Sequence, residues 1–187
     1  AIVAERAQGP FTGLRDLLQR VPLQDKEVTH LVQCGALDGL GESRAALLAE
    51  TGEIRQAGSA LQMTLGFASP AVEAEPAAQR LAWERHLLGQ PVSVHPLEVV
   101  AERLPSSLPL RHLLKQPGQR VTVAGVPQPG WTGGQGFLLS DGDASVTARG
   151  DAGRGAPPPW QPLVARGRWR SDEWGTAWFQ VEEMEEV

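Results

Sequence analysis

Three arginines at alternate positions, Arg166, Arg168 and Arg170, are the residues best suited to chemistry. In an extended strand a period of two puts them on one side. A row of guanidiniums neutralises phosphates, and nearby indoles offer faces on which bases stack. Arg120, Arg149 and Arg154 can join the row. Trp131, Trp160 and Trp174 fall in loops, and Trp178 shares the Arg168 face. The chain has no tyrosine, so stacking would fall on tryptophan and Phe137. The same residues would also serve as plugs of barrel ends and as solvated arginines. Asp141 and Asp143 have the look of a two-metal carboxylate pair. Asp141-Gly142-Asp143 between two strands is better explained as turn chemistry. His95 has no second ligand at metal spacing and no nucleophile to serve, so it reads as structural, beside a helix start at Pro96. Cys34 follows Leu31 and Val32 on an apolar face and reads as a buried thiol. No nucleophile–base pair is legible, and no metal or cofactor is expected.

Two further stretches can bind rather than react. Gly35, Gly39 and Gly41 lie in a short turn between two helical patterns, the layout of a helix-hairpin-helix unit. Glycine lets a backbone approach a phosphate, and the amides of the following helix point at it. An ordinary αα-hairpin with a glycine cap would use the same residues. Gln62-Met63-Thr64-Leu65-Gly66-Phe67 pairs a polar amide with apolar anchors at alternate positions. An extended peptide of that kind hooks its amide on a pocket rim and sinks Leu65 and Phe67 inside. A core turn is the other use for it.

The elements that must position these groups follow from periodicity. Ile2, Val3 and Ala7 predict a first helix, stopped by Gly9-Pro10. Thr12 is placed to cap a second, with Leu14, Leu17, Leu18 and Val21 on one face. Residues 24–34 predict a third, and Ala45 to Ile54 a fourth. Residues 68–78 read as a linker, 79–88 as a helix, 96–104 as a short helix and 110–115 as a single turn. Residues 120–126, 136–140, 144–149, 163–170 and 176–183 alternate as strands joined by turns. The predicted class is α+β: a helical helix-hairpin-helix region followed by a small five-stranded barrel of the OB type. The predicted boundaries are 1–57 for the helical region, 58–80 for the linker, 81–118 for connecting helices and 119–187 for the barrel.

The chain has 187 residues, of which 41% are hydrophobic, enough for one large or two small domains. Nothing approaches the ~18 apolar residues of a membrane helix. The N-terminus reads as an amphipathic helix rather than a leader, and one cysteine suits a reducing cytoplasm. Ala1 is not a methionine and no capping residue precedes the first helix, which predicts a piece of a longer polypeptide. The net charge of −5 argues against a purely electrostatic nucleic-acid binder. It is unevenly spread: 13 acidic and 9 basic residues over 1–110, 3 acidic and 8 basic over 111–170, then 6 acidic and none basic over 171–187. The acidic end, Glu182, Glu183, Glu185 and Glu186, reads as a solvated finish that repels DNA.

Several of these stretches resemble one family. Ala1 to Arg6, Gly9 to Leu14, Arg20 to Leu23, Leu31 to Gly41 and Arg44 to Leu48 resemble the helix-hairpin-helix region of the bacterial DNA polymerase III alpha subunit and its error-prone paralogues. Gln62 to Phe67 resembles the family's sliding-clamp-binding peptide, with Met63 where leucine is more usual. Ser93-Val94-His95-Pro96-Leu97 and Val121 to Val126 resemble its connection to an OB fold and that fold's first strand. The loop from Trp131 to Gly136 departs from the pattern by lacking a lysine. The resemblance implies a non-catalytic C-terminal part that holds single-stranded and duplex DNA and docks the sliding clamp beside the rest of the polymerase chain, in the cytoplasm at the nucleoid. Clamp contacts would be Gln62, Met63, Leu65 and Phe67. DNA contacts would be Gly35, Gly39, Gly41, Arg44, Arg120, Trp131, Phe137, Arg149, Arg166, Arg168 and Trp178. No motif resembles the palm carboxylates, so this chain alone is not expected to polymerise. A free-standing single-strand-binding adaptor and a protein-interaction scaffold are the competing readings.

Overall fold

The computed structural model describes residues 1–59, 72–134, 136–150 and 156–187, with side chains of residues 56–59 excepted. Residues Gln62 to Phe67 and Arg154 lie outside the described residues. The chain forms two compact units, Ala1–Ser93 and Val94–Val187. Among the described residues no helix is long and apolar enough to cross a membrane.

The first unit holds α1 (Ile2–Gln8), α2 (Leu14–Arg20), α3 (Asp25–Gln33), a 3₁₀ turn (Asp38–Leu40), α4 (Arg44–Ser59) and α5 (Ala77–Leu88). Leu14, Leu17, Val21, Val28, Val32, Leu37 and Leu47 form its buried core. The i, i+3, i+7 spacing of Leu14, Leu17 and Val21 selects the inward face of α2. Burying each leucine contributes about 1.5–3 kcal/mol. Thr12 does not cap α2. Gly13 stands at the cap, and the Asp16 carboxylate reaches back to accept the Thr12 N–H at 3.0 Å. Arg20 ties the α1–α2 corner, donating to the Glu5 and Gly9 carbonyls and lying 4.5 Å from the Phe11 ring centre. At the start of α3 the Glu27 carboxylate accepts the Gln24 N–H at 2.6 Å.

The second unit opens with α6 (Pro96–Val99) and 3₁₀ turns at Ala101–Arg103 and Leu110–Lys115. The helix expected over residues 96–104 is therefore broken at Val100. Five strands follow: β1 (Arg120–Gln128), β2 (Phe137–Ser140), β3 (Ser145–Arg149), β4 (Leu163–Ser171) and β5 (Ala177–Glu186). They close into a barrel in the order β1-β2-β3-β5-β4, antiparallel except for the β3–β5 pair. This mixed Greek-key closure is the OB-type arrangement. Val123, Leu139, Ala148, Leu163, Ala165, Phe179 and Val181 fill the interior. Leu110 and Leu113 pack into the same core, so the single turn before β1 belongs to the barrel. The stretch 81–118, expected as one connecting region, is divided: α5 sits in the first unit and Val94 onward in the second.

Among the described residues of the first unit the most buried charges are an ion pair between Arg44, 2% exposed, and Glu84, 0% exposed, at 2.9 Å. Asp38 completes the set, accepting from Arg44 Nε and Nη2 at 2.8 Å each. Glu84 also accepts the N–H groups of Val92 and Ser93 at 2.7 and 3.0 Å and the Ser93 hydroxyl at 2.5 Å. Burial pushes the Glu84 carboxyl up, but the Ser93, Val92 and Arg44 donors outweigh it and hold it below its usual range. Removing one partner of a buried pair leaves an uncompensated charge, at about 3–5 kcal/mol. Glu84→Ala is therefore expected to cost about 3 kcal/mol in urea unfolding, the low end because Asp38 remains. A loss below about 1 kcal/mol would mean that Asp38 alone satisfies Arg44.

Candidate nucleic-acid interface

The hairpin between α3 and α4 is built around Arg44. Gly35 has φ +82°, and a Cβ there would stand 2.3 Å from Arg44 Nη2 and 3.0 Å from Asp38 Oδ2. Arg44 Nη1 also donates to the Gln33 carbonyl at 3.0 Å, and Nη2 to the Ser93 hydroxyl at 3.2 Å. Arg44, expected on a DNA backbone, is thus turned inward with every arm occupied. Gly41 is needed for packing, since a Cβ would stand 2.7 Å from Leu47 Cδ2. Gly39 alone of the three has nothing within 4 Å. The first free amides of α4 are already engaged: Ala45 donates to the Glu75 carboxylate at 2.9 Å and Ala46 to the Ser43 hydroxyl at 3.0 Å. The anion position at this helix start is filled by the chain's own carboxylate.

In the barrel Arg120, Arg166 and Arg168 face outward on paired strands β1 and β4. They are not free. Glu182 pairs with Arg120 at 3.0 Å and Arg168 at 2.9 Å, and Glu183 with Arg120 at 2.6 Å and Arg166 at 3.2 Å. Hydrogen bonds from Arg120 and Arg166 hold the Glu183 carboxyl below its usual range. Glu182 and Glu183 therefore belong to a folded strand and an ion network, which corrects their reading as a solvated finish. Phe137 is 8% exposed and points into the core with Leu139, so it is no stacking platform.

What remains available lies around the β3–β5 join. The Arg149 guanidinium stands 4.3 Å from the Trp178 ring centre. Trp178 is held in place by its indole N–H, which donates to Gln180 Oε1 at 3.0 Å. Arg170 lies opposite Trp178 in the β4–β5 register. Among the described residues no carboxylate pairs with Arg149 or Arg170. Trp174, in the β4–β5 loop, is 84% exposed, and Trp131, in the β1–β2 loop, is 90% exposed. The Trp174 loop is ordered by Asp172, whose Oδ1 accepts the Trp174 and Thr176 N–H groups at 3.0 and 2.8 Å. Gly136 brings the β1–β2 loop against β3: a Cβ there would stand 2.0 Å from the Ala148 carbonyl oxygen. Trp174 and Arg170 belong to the row and the loop indoles read from the sequence, but not to the DNA contacts that the family resemblance implies. Their signal was present, an indole in an Asp-x-Trp-Gly turn and an arginine in phase with Arg168.

The Asp141 turn and His95 are structural partners. Asp141 Oδ1 accepts the Asp143 and Ala144 N–H groups at 3.1 and 2.9 Å, and Oδ2 accepts Leu110 N–H at 2.8 Å. Asp143 pairs with Arg111 at 2.6 Å. Among the described residues no group of three or more His, Cys, Asp or Glu is arranged to hold a metal ion. His95 caps α6, its Nδ1 accepting the Leu97 N–H at 3.4 Å, and its ring lies beside Gly142.

The comparisons with known proteins agree in part. A helix-hairpin-helix motif family matches residues 1–47. No curated protein matches the sequence. Asparaginyl-tRNA synthetase from Pyrococcus horikoshii complexed with asparaginyl-adenylate is similar over 45% of this chain and 23% of its own, at 16% identity and TM-score 0.36. The same synthetase in a second structure gives 17% identity over the same shares at TM-score 0.36. A replication protein A heterotrimer bound to single-stranded DNA gives 11% identity over 43% of this chain and 79% of its own, at TM-score 0.36. The chain thus spans under a quarter of the synthetase it resembles.

Burial lowers the His95 pKa below 6.5, against smaller opposing effects of Glu98 and Asp141. The unfolded chain then binds the extra proton more readily, so the stabilisation is complete above pH 6.5 and is lost as pH falls below it. Chemical unfolding at about pH 7.5 and about pH 5.5 tests this. His95→Asn, which keeps a capping side chain, is expected to remove that component of the pH dependence. An unchanged dependence would place the titration elsewhere.

Proposed function

We propose that this chain is a non-catalytic nucleic-acid-holding protein whose barrel takes a single strand of DNA across the β3–β5 join and the two loops that carry exposed indoles. The observation that carries the reading is the pair of indoles, Trp131 at 90% and Trp174 at 84% exposure, on the β1–β2 and β4–β5 loops. Those loops and the β2–β3 face are where OB-type barrels take oligonucleotides. Exposed indoles stack on bases of any identity, and Arg149 and Arg170 supply the charge beside them. The helix-hairpin-helix match over residues 1–47 supports a second contact, with duplex backbone. Gly39 is the glycine of the hairpin that leaves room for it.

The finer reading is the C-terminal part of a bacterial polymerase of the DNA polymerase III alpha type. It would hold DNA and dock the sliding clamp through Gln62, Met63, Leu65 and Phe67 while the rest of the polymerase chain does the chemistry. The resemblance of residues 1–50, 62–67 and 93–97 supports it. A weak peptide suffices in that setting, because tethering to the same DNA raises its effective concentration.

Tryptophan fluorescence titrated with oligo-dT tests the first claim. Quenching is expected in the unaltered chain, and Trp131→Ala or Trp174→Ala is expected to lose about 1–3 kcal/mol of binding each. No quenching would leave a protein-interaction scaffold as the better reading. Separately, Gln62→Ala with Leu65→Ala and Phe67→Ala is expected to abolish clamp pull-down with oligo-dT binding intact. Full retention of the clamp would remove that assignment.

A further inference from the structure

Strand β5 carries a bulge that the other strands lack. Glu183 pairs with Arg166 and Val181 with Gly167, so Glu182 is left without a partner in the β4–β5 register. Inward and outward positions alternate up to that point, with Phe179 and Val181 inside. At the bulge two consecutive side chains, Glu182 and Glu183, both face outward. Gly167 permits this approach, since a Cβ there would stand 2.0 Å from the Gln180 carbonyl oxygen. In a regular strand one of the two carboxylates would point into the core. Bulges re-aim side chains in this way and are built features rather than defects.

The result is two carboxylates against three guanidiniums, Arg120, Arg166 and Arg168, in one connected network. Exposed ion pairs of this kind add little to stability. Their effect is on charge: the face carries a net +1 where three free arginines would carry +3. On the same strand as Arg166 and Arg168, Arg170 has no carboxylate partner among the described residues, and neither does Arg149 beyond it.

We propose that Glu182 and Glu183 are an internal counter-anion that withholds Arg120, Arg166 and Arg168 from phosphates. A single strand is thereby admitted only around the β3–β5 join, at Arg149, Arg170 and the exposed indoles. This rests on the single-strand reading above and assigns its regulation. The bound segment is short and few counterions are released.

The test is the salt dependence of oligo-dT binding by the full chain, read by tryptophan quenching. Each phosphate neutralised on a single strand steepens the log–log slope by about 0.7, so freeing three arginines adds up to about 2. Glu182→Gln with Glu183→Gln is expected to show that steeper slope, equivalent to roughly 15-fold extra gain in affinity on a fourfold dilution of salt. Glu185→Gln with Glu186→Gln is the control. It changes net charge equally but frees no arginine, because Glu186 accepts from Gln161 at 2.7 Å and Glu185 meets no arginine within ion-pair distance among the described residues. The control is expected to keep the original slope. If the first double variant does not fold, Glu183→Gln alone is expected to add about half the change. Equal slopes in the two double variants, or no change in either while the unaltered chain binds, overturns the inference and leaves the single-strand reading standing. Absence of binding by the unaltered chain and by every variant removes the single-strand reading itself.

Discussion

A guanidinium cannot be buried without carboxylates around it, and the first unit is assembled to meet that demand at Arg44. Its partners come from three separate places in the chain. Asp38 belongs to the hairpin, Glu84 to the fifth helix and Ser93 to the segment that leaves it. Glu84 in turn gathers the amides of Val92 and Ser93, so the charge that neutralises Arg44 also fixes where the chain departs. The hairpin glycine at position 35 is required by this arrangement, since its missing Cβ is the space that Arg44 occupies. Replacing such a network by apolar groups is often neutral for stability. What it supplies here is a single relative placement of hairpin, helix and exit.

The same accounting of charge separates the two faces of the barrel. Along the fourth strand, Arg166 and Arg168 are satisfied by the neighbouring strand and Arg170 is not. The indoles follow the opposite rule. Trp169 packs against the core, whereas Trp131 and Trp174 are held out in water by loops with defined hydrogen bonds.

Much of this was legible in the residues. Alternating apolar positions, the Asp141-Gly142 turn and the Asp172 to Gly175 turn located all five strands, and the hairpin glycines located the helix-hairpin-helix layout. The boundaries of the strands were short by one to three residues in places, because Pro127, Ser171 and the acidic finish join the ladders. Phe137 was misread although its phase was available, since it shares parity with the buried Leu139. Arg44 was not readable as buried, because Ser93 stands 49 residues away and its contact exists only after folding. The bulge at Glu182 was equally hidden. A reading that assumes period two cannot show two neighbouring carboxylates on one face. Thr12 reads as a cap by residue type, but the helix starts one residue later, after Gly13, and Thr12 instead donates its own N–H to the Asp16 carboxylate.

The barrel is closed by an unequal seam. Strands β4 and β5 pair along almost their whole length, whereas among the described residues β3 meets β5 at Ala148–Phe179 and Arg149–Gln180 only. Parallel pairing is slightly less stable per residue than antiparallel pairing, and this join is two pairs long. Arg149 and Trp178 lie on either side of it. A polymer lying over both would act as a stitch across the gap, and the cylinder would resist unzipping more strongly when loaded than when empty.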